Sequence, residues 1–273
     1  MICSSPDDPP VVDRRGSGTG VASNDGACDA RRVVVVSWNV LHRIHGVNWS
    51  EPAIAQWTDE RSRIGSIADF IAATPADVVC LQEVSGDQLA MLRDVEEGEL
   101  FATKYPRVPA FRKATTESLR DAAEYLVTIV RDAGARLVGA EPFPTDNGKG
   151  FQRVDLANGT TVINTHVSFG DKRTAQLARL AVEAAVAPGL AVVCGDFNAD
   201  RATCAAELGD ELVAAVPLDG LHTRPRQVPS EKSQDIDHVF VRGGNALEAS
   251  VLDGETRSDH NPVRVTLRVP SVP

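Results

Sequence analysis

The stretch VVVVSWNV at residues 33–40 is a run of β-branched residues that gives way to a tryptophan and an asparagine. A continuous apolar run of this length predicts a strand that is buried on both faces of a sheet. The segment DVVCLQEV at 77–84 has the same character, and ERSRIGSIADFIAA at 60–73 lies between them with its apolar residues at helical spacing. These three segments therefore predict a β-α-β unit.

The same two patterns continue toward the C-terminus. Further strands are predicted at EYLVTIVRD (124–132), TTVINTHVS (160–168), LAVVCGDFN (190–198), DIDHVFVRG (235–243) and NPVRVTLRV (261–269). Helices are predicted over DQLAMLRDVEE (87–97) and TAQLARLAVEAAVA (174–187), and KYPRVPAFRK (104–113) is interpreted as a loop. This mixture favours a layered α/β or α+β fold in which helices cover a sandwich of sheets.

The 273 residues are within the range that one large domain can fill. Residues 1–30 are rich in Pro, Gly, Ser, Asp and Asn without a hydrophobic period, which predicts a disordered N-terminal tail. The remainder, residues 31–270, contains no internal repeat and no low-complexity linker. We therefore expect a single folded domain after the tail.

Charge and cysteine content narrow the function classes. The formal net charge of −10 disfavours indiscriminate binding to duplex DNA, because that binding depends on Lys and Arg. No apolar run approaches the roughly 20 residues that span a bilayer, and the N-terminus lacks a secretory signal pattern. The five cysteines have no metal-ligand spacing, which indicates reduced thiols. We expect a cytoplasmic monomer that does not associate with membranes.

Polar residues interrupt or end nearly every predicted buried strand, at Asn39, Glu83, His166, Asp196, Asn198 and Asp237. A charge in such a place costs free energy unless it meets a partner or a metal. Oxygen ligands such as Asn39, Glu83 and Asp259 suit a hard cation, and Mg²⁺ is the ion that typically also bridges to a phosphate. Histidines add a proton donor near neutral pH. The pattern therefore favours metal-assisted phosphate chemistry.

Six motifs carry a family resemblance: SWNVL (37–41), LQEV (81–84), NTHVS (164–168), GDFNAD (195–200), IDHVFV (236–241) and SDHNPV (258–263). In order and spacing they resemble the endonuclease/exonuclease/phosphatase superfamily, which includes deoxyribonuclease I and abasic-site endonucleases. The resemblance implies an α/β (α+β) fold, a four-layered sandwich of two mixed β-sheets packed face to face with helices on the outside. It also implies that residues 31–270 are a catalytic domain of a metal-dependent hydrolase.

The resemblance also implies roles for individual residues. Asn39 and Glu83 would hold Mg²⁺, for which Mn²⁺ is a possible substitute, and Asp259 would be a third or water-mediated ligand. Asp196 would orient or deprotonate the attacking water, and Asn198 would fix the water and the phosphate. His166 and His260 would flank the scissile phosphate, supported by Glu124 and Asp237 respectively.

The substrate is left open between three classes. The segment after Asn39 resembles the opening of the deadenylase, nocturnin and Angel branch, which acts on RNA 3′ ends, and KYPRVPAFRK interleaves basic and aromatic residues as single-strand binders do. These features favour RNA or single-stranded nucleic acid. The alternatives are a small or lipid phosphoester, such as an inositol phosphate or sphingomyelin, and a catalytically inactive binding module.

Several neighbouring residues receive weaker interpretations. His238 should face away from its neighbour Asp237 on a strand, which favours a structural role. Arg173 and Gln176 resemble residues that brace the helix after the His166 strand. For His42, His45 and His222 the sequence leaves both a surface position and a substrate contact open.

Overall fold

The computed structural model describes residues 31–57, 59–105, 119–215, 221–225, 234–254 and 256–270. The predicted tail at 1–30 lies outside these residues. So does the segment 106–113, which makes up most of the predicted loop; Lys104 and Tyr105 belong to a strand.

The strands are β1 (Arg32–Asn39), β2 (Val78–Ser85), β3 (Glu99–Tyr105), β4 (Glu124–Val130), β5 (Arg136–Phe143), β6 (Asp146–Asp155), β7 (Thr161–His166), β8 (Ala191–Asp196), β9 (Val213–Ala214), β10 (Asp237–Arg242), β11 (Asn245–Val251) and β12 (Val263–Arg268). The helices are α1 (Arg43–Trp49), α2 (Pro52–Gln56), α3 (Glu60–Ala73), α4 (Gly86–Val95), α5 (Lys172–Ala185) and α6 (Arg201–Leu208). Each strand and helix predicted from the sequence is present, with bounds that differ by a few residues at most.

Two six-stranded sheets contain these strands, in the orders β11-β12-β1-β2-β4-β3 and β5-β6-β7-β8-β10-β9. Each is mixed: β1 and β2 run parallel in the first sheet, β7 and β8 run parallel in the second, and the other pairings are antiparallel. The two sheets pack face to face through one apolar cluster that includes Val35, Cys80, Val192, Cys194 and Val265. Buried on both faces, the parallel strands are the continuous apolar runs of the sequence.

Helices cover the outer face of each sheet. Ile67 of α3 and Leu89 of α4 pack with Trp38 of the first sheet, and Leu177 of α5 packs with Phe240 of the second. The predicted four-layered sandwich, with helices outside two mixed sheets, is therefore confirmed. In the part of the chain that the structure describes, no helix has both the length and the apolar character needed to cross a membrane.

The antiparallel hairpin β5–β6 was not predicted. β5 is largely exposed, and both strands contain glycine, proline or charged residues in place of an apolar alternation. On its other side, β6 pairs with the buried strand β7. Strands of this kind carry little periodic signal in the sequence.

Candidate active site

The predicted site residues meet at the carboxyl ends of the two parallel strand pairs. Asn39 and Glu83 come from β1 and β2, and His166 and Asp196 come from β7 and β8. Together with Asn198, Asp259 and His260 they line one open cleft. Asp237 lies behind His260 and reaches the cleft only through that histidine. Chemistry at the ends of parallel strands is typical of sites that a rigid scaffold positions.

Asp196 occupies the centre of the site. Its Oδ2 accepts a hydrogen bond from Asn39 Nδ2 at 3.0 Å, and its Oδ1 accepts one from the backbone N–H of Asn198 at 2.9 Å. Gly195 before it allows β8 to approach β7 closely, since a Cβ there would lie 1.9 Å from Thr165 O. Burial alone would raise the pKa of Asp196, but the charge and hydrogen bond of His166 outweigh it and hold this pKa well below its usual range. Asp196 is thus a fixed, ionised acceptor.

His260 forms a buried ion pair with Asp237. Its Nδ1 lies 2.8 Å from Asp237 Oδ2, and its Nε2 faces the cleft at 3.9 Å from Asp259 Oδ2 and 4.0 Å from Asp196 Oδ2. Burial lowers the pKa of His260, but the charges of Asp237 and Asp259 outweigh this and raise the pKa to about 10. The imidazole is therefore a cation at neutral pH, with one N–H directed into the cleft.

His166 lies beside Asp196 on the neighbouring parallel strand of the second sheet. Its Nε2 lies 3.3 Å from Asp196 Oδ2 and 3.8 Å from Glu83 Oε1, and it also contacts Lys149 Nζ. Burial and the Lys149 charge lower the pKa of His166. Two histidines thus lie beside the same carboxylate: Asp237 raises the pKa of His260, whereas burial and Lys149 lower the pKa of His166.

Asn39, Glu83 and Asp259 present oxygen atoms to the cleft. Asn39 Oδ1 accepts from Leu41 N at 3.0 Å, and Glu83 Oε2 accepts from His42 N at 3.3 Å. Glu83 has a left-handed backbone with φ 58° at an irregularity in the β2–β4 pairing, an unfavourable conformation for this residue type. Such strain is typical of functional positions, where it aims a side chain.

A second arrangement of possible metal ligands overlaps this one. Asp196, Asp237 and His260 each offer one ligand atom, and these atoms lie within 4.8 Å of one another. However, the Asp237–His260 hydrogen bond already uses Nδ1, and a protonated imidazole does not ligate a cation. The oxygen atoms of Asn39, Glu83 and Asp259 suit a hard divalent ion better.

The profile of the Endonuclease/Exonuclease/phosphatase family matches residues 36–260, which include all of these site residues. The chain belongs to this family. Members of the family are hydrolytic nucleases and phosphatases that generally use a divalent metal. A comparison with curated proteins gives no match.

Solved structures with the same fold include other members of the family. A D. rerio TDP2 complexed with single strand DNA product is 15% identical with a TM-score of 0.65, covering 87% of this chain and 99% of that chain. An endonuclease/exonuclease/phosphatase from Beutenbergia cavernae is 22% identical with a TM-score of 0.65, covering 89% and 73%. TDP2 from C. elegans is 17% identical with a TM-score of 0.63, covering 87% and 75%. At these identities the likeness shows the fold.

The family resemblance paired Glu124 with His166, and the structure corrects this pairing. Glu124 Oε2 lies 2.7 Å from His45 Nε2, at the start of β4, while the side chain of His166 contacts Lys149, Asp196 and Glu83. Helix α1 carries His45 to this place, and this short helix was not predicted. A catalytic role for Glu124 stays a prediction.

The structure adds three charged residues that the sequence analysis missed. Lys149 of β6 contacts His166, and Arg224 Nη2 donates to Asp259 Oδ2 at 3.0 Å and to Glu51 Oε1 at 2.9 Å. Lys149, Arg224 and Glu51 all line the cleft. None of them follows an apolar run, so the signal that revealed the other site residues was missing.

Interior amides also join the two sheets beneath the site. Gln82 of β2 donates from Nε2 to Asn164 Oδ1 of β7 at 2.8 Å, and both side chains are fully buried. Both amides are close to site residues in the sequence: Gln82 directly precedes Glu83, and Asn164 lies two positions before His166. A buried hydrogen bond of this kind fixes the relative position of the two strand pairs.

The remaining predictions are placed as follows. His238 is buried, donates from Nε2 to Ala199 O at 2.8 Å, and faces away from the cleft, as predicted. Gln176 braces the segment after His166 through Ser168 N at 2.8 Å, and Arg173 lies in the first turn of the same helix. Of the three open histidines, His42 and His45 are buried, whereas His222 is largely exposed and pairs with Asp235 at 3.1 Å.

Proposed function

We propose that the protein is a Mg²⁺-dependent phosphodiesterase that hydrolyses phosphodiester or terminal phosphate bonds in RNA or single-stranded nucleic acid. One observation carries the proposal: Asp196 lies between two histidines, at 3.3 Å from His166 Nε2 and 4.0 Å from His260 Nε2. The pKa of His166 is lowered and the pKa of His260 is raised. This arrangement places an acceptor for a water proton beside a cationic donor, as in-line attack on phosphorus requires.

The side chains divide the work of the reaction. Asp196 accepts a hydrogen bond from the attacking water and holds or removes its proton, and Asn198 positions the water and a phosphate oxygen. The imidazolium of His260, held by Asp237, stabilises the charge that develops on the phosphate oxygens and donates to the leaving oxygen. His166 contacts the phosphate from β7 of the second sheet. Positioning and charge stabilisation supply most of the acceleration in this class of reaction.

Electrostatics of the cleft fit a divalent cation. Among the residues that the structure describes, four carboxylates line it, together with one lysine, one arginine and three histidines. Asn39 Oδ1 has used one of its two lone pairs on Leu41 N, so the second can serve a ligand. We assign Asn39, Glu83 and Asp259 as the metal ligands. Bound Mg²⁺, or Mn²⁺ in its place, would polarise a phosphate oxygen as a Lewis acid.

Two observations support a nucleic-acid substrate. The D. rerio TDP2 structure with the same fold is a complex with single strand DNA product. The segment after Asn39 also resembles the deadenylase, nocturnin and Angel branch, which favours RNA processing. With a net charge of −10, we propose short single-stranded or terminal substrates in place of long duplexes.

The alternatives have less support. A lipid phosphodiesterase would need an apolar insertion or a basic amphipathic helix, which the sequence analysis did not find. An inactive binding module would have lost a ligand or a histidine, whereas every proposed residue is present. We further propose that residues 31–270 act as a monomeric catalytic domain in the cytoplasm, where the three buried free thiols of Cys80, Cys194 and Cys204 would stay reduced.

The test is a panel of end-defined RNA and DNA oligonucleotides, including 3′-phosphate and 2′,3′-cyclic phosphate ends. An inositol phosphate and sphingomyelin are assayed beside them as alternative substrates. We expect cleavage of the oligonucleotides with Mg²⁺, its loss with a chelator, and its loss in Asp196→Ala. Asp132→Ala, which removes an exposed carboxylate just after β4, is the matched control and should retain activity. Activity that survives the chelator, or that is confined to the inositol or lipid substrate, would refute the proposal.

A further inference from the structure

Two exposed aromatic side chains border the cleft. Trp49 ends α1 and is 73% exposed, and Phe169, three residues after His166, is 67% exposed. Both line the cleft together with Asp196 and His260. Large aromatic side chains held in water forgo the free energy of burial, so their presence around a charged cleft indicates a binding surface.

The backbone beneath each aromatic is fixed. Helix α1 packs on α2 so closely that a Cβ on Gly46 would lie 2.1 Å from Ile54 Cγ1, and Ser50 closes the helix in the left-handed conformation with φ 57°. Next to Phe169, the side chain of Ser168 donates to Asp146 Oδ2 at 2.9 Å. Both rings are therefore presented from ordered supports, which lowers the entropic cost of binding.

We infer that Trp49 and Phe169 stack on the nucleobases that flank the scissile phosphate. The inference rests on the proposed function and specifies its substrate class. A nucleotide combines a charged phosphate with flat apolar faces, which matches a charged cleft with aromatic residues at its border. Trp49 follows a strand of the first sheet and Phe169 follows a strand of the second, so each side of the cleft supplies one ring. Bases paired in a duplex cannot offer their faces in this way.

A lipid surface is the other partner that exposed aromatics can fit. Here an acidic residue follows each aromatic by two positions, Glu51 after Trp49 and Asp171 after Phe169. These carboxylates, with a net charge of −10, oppose approach to an anionic membrane. The charge distribution therefore favours the nucleobase, and vesicle binding becomes an outcome of the test.

The experiment compares two substrates that differ only in their bases. One is a short single-stranded oligonucleotide, and the other has stable abasic tetrahydrofuran residues on both sides of the scissile phosphate. Trp49→Ala and Phe169→Ala should each raise KM on the base-bearing substrate about 10-fold more than on the abasic one, with kcat changed little. Trp49→Phe should recover most of the loss. Val186→Ala, which truncates a 60% exposed residue just after α5, should behave as wild type on both substrates.

Binding provides a readout that does not need turnover. In an Asp196→Asn background, the base-bearing oligonucleotide should quench tryptophan fluorescence, and Trp49→Phe should remove that quenching. Equal penalties on the two substrates, or sedimentation with phosphatidylserine vesicles that depends on Trp49, would overturn the inference. Failure of the proposed function would look different, because wild type would then cleave neither oligonucleotide while the fluorescence titration still reports on stacking.

Discussion

Arg63 of α3 joins the core to the active site, and its replacement is a direct test of the structure. The guanidinium is fully buried and forms an ion pair with Glu60 at 2.6 Å. It also donates to the carbonyls of Val40 at 3.0 Å, Leu41 at 2.7 Å and Arg257 at 2.8 Å. Two of these carbonyls follow Asn39, and the third lies two residues before Asp259. One side chain thus fixes both segments that carry proposed metal ligands.

The magnitude follows from what Arg63→Met would leave behind. Breaking a buried ion pair costs about 3–5 kcal/mol, since the remaining charge stays buried. Glu60 keeps one cationic neighbour, Arg43 Nη1 at 3.3 Å, which places the ion-pair term near the lower end. Each carbonyl that loses its donor adds about 1 kcal/mol. The ion-pair term of about 3 kcal/mol and the three carbonyls together predict a loss of about 6 kcal/mol in the free energy of unfolding, and a fall of roughly 15 °C in Tm.

The assay is urea unfolding followed by circular dichroism, together with kcat/KM on an oligonucleotide. Arg63→Met should lose the stated stability and, even where folded, should need more Mg²⁺ for half-maximal activity. The double variant Glu60→Gln, Arg63→Met removes the orphaned charge, so it should be more stable than the sum of the single changes implies. A loss below about 1 kcal/mol for Arg63→Met, or strict additivity in the double variant, would refute this reasoning.

Three further predictions concern the histidines. Asp237→Asn should lower kcat about 100-fold with little change in KM, because His260 loses the charge that holds its proton; a change below 10-fold in steady-state kinetics would contradict the assigned role. Glu124→Gln and His45→Asn should have equal and non-additive effects on activity, and additive effects would show that their 2.7 Å contact is unimportant. Burial lowers the pKa of His238 from 6.5 to about 4, so the unfolded chain binds more protons between these values and stability falls as the pH drops through them. Relative to His238→Gln, wild type should lose ~2 kcal/mol of unfolding free energy from pH 7 to pH 5, and parallel pH curves would contradict this.

Most of the correct predictions from the sequence concern the buried parallel strands and the site residues at their ends. β1, β2, β7 and β8 read as apolar runs because both of their faces are covered, and a polar residue at the end of such a run stands out. Asn39, Glu83, His166 and Asp196 were found in this way, and the structure brings them to one cleft. Helix α3 was predicted at 60–73 because its apolar residues recur at helical spacing, and in the structure Asp59 caps its first turn.

Contacts between distant segments could not be predicted in the same way. The pairing of Glu124 with His45 depends on where α1 lies, and this seven-residue helix has too few turns to leave a clear period. Lys149 lies on β6, where glycine residues flank it and no apolar run marks the strand. Arg224 acts on Asp259 across 35 residues of chain. In each case the partner is chosen by tertiary packing, which local sequence does not encode.

The site also explains why these two sheets must be held so firmly together. Each parallel strand pair supplies about half of the proposed machinery, so a small shift between the sheets would separate His166 from Glu83 and Asp196 from Asn39, which lie 3.8 and 3.0 Å apart. The Gln82–Asn164 hydrogen bond lies between the pairs, inside the core that also contains Cys80 and Cys194. A misplacement of about 1 Å can cost an enzyme two orders of magnitude in rate. Core packing between the sheets is therefore part of the catalytic geometry, and substitutions there should reduce activity before they unfold the protein.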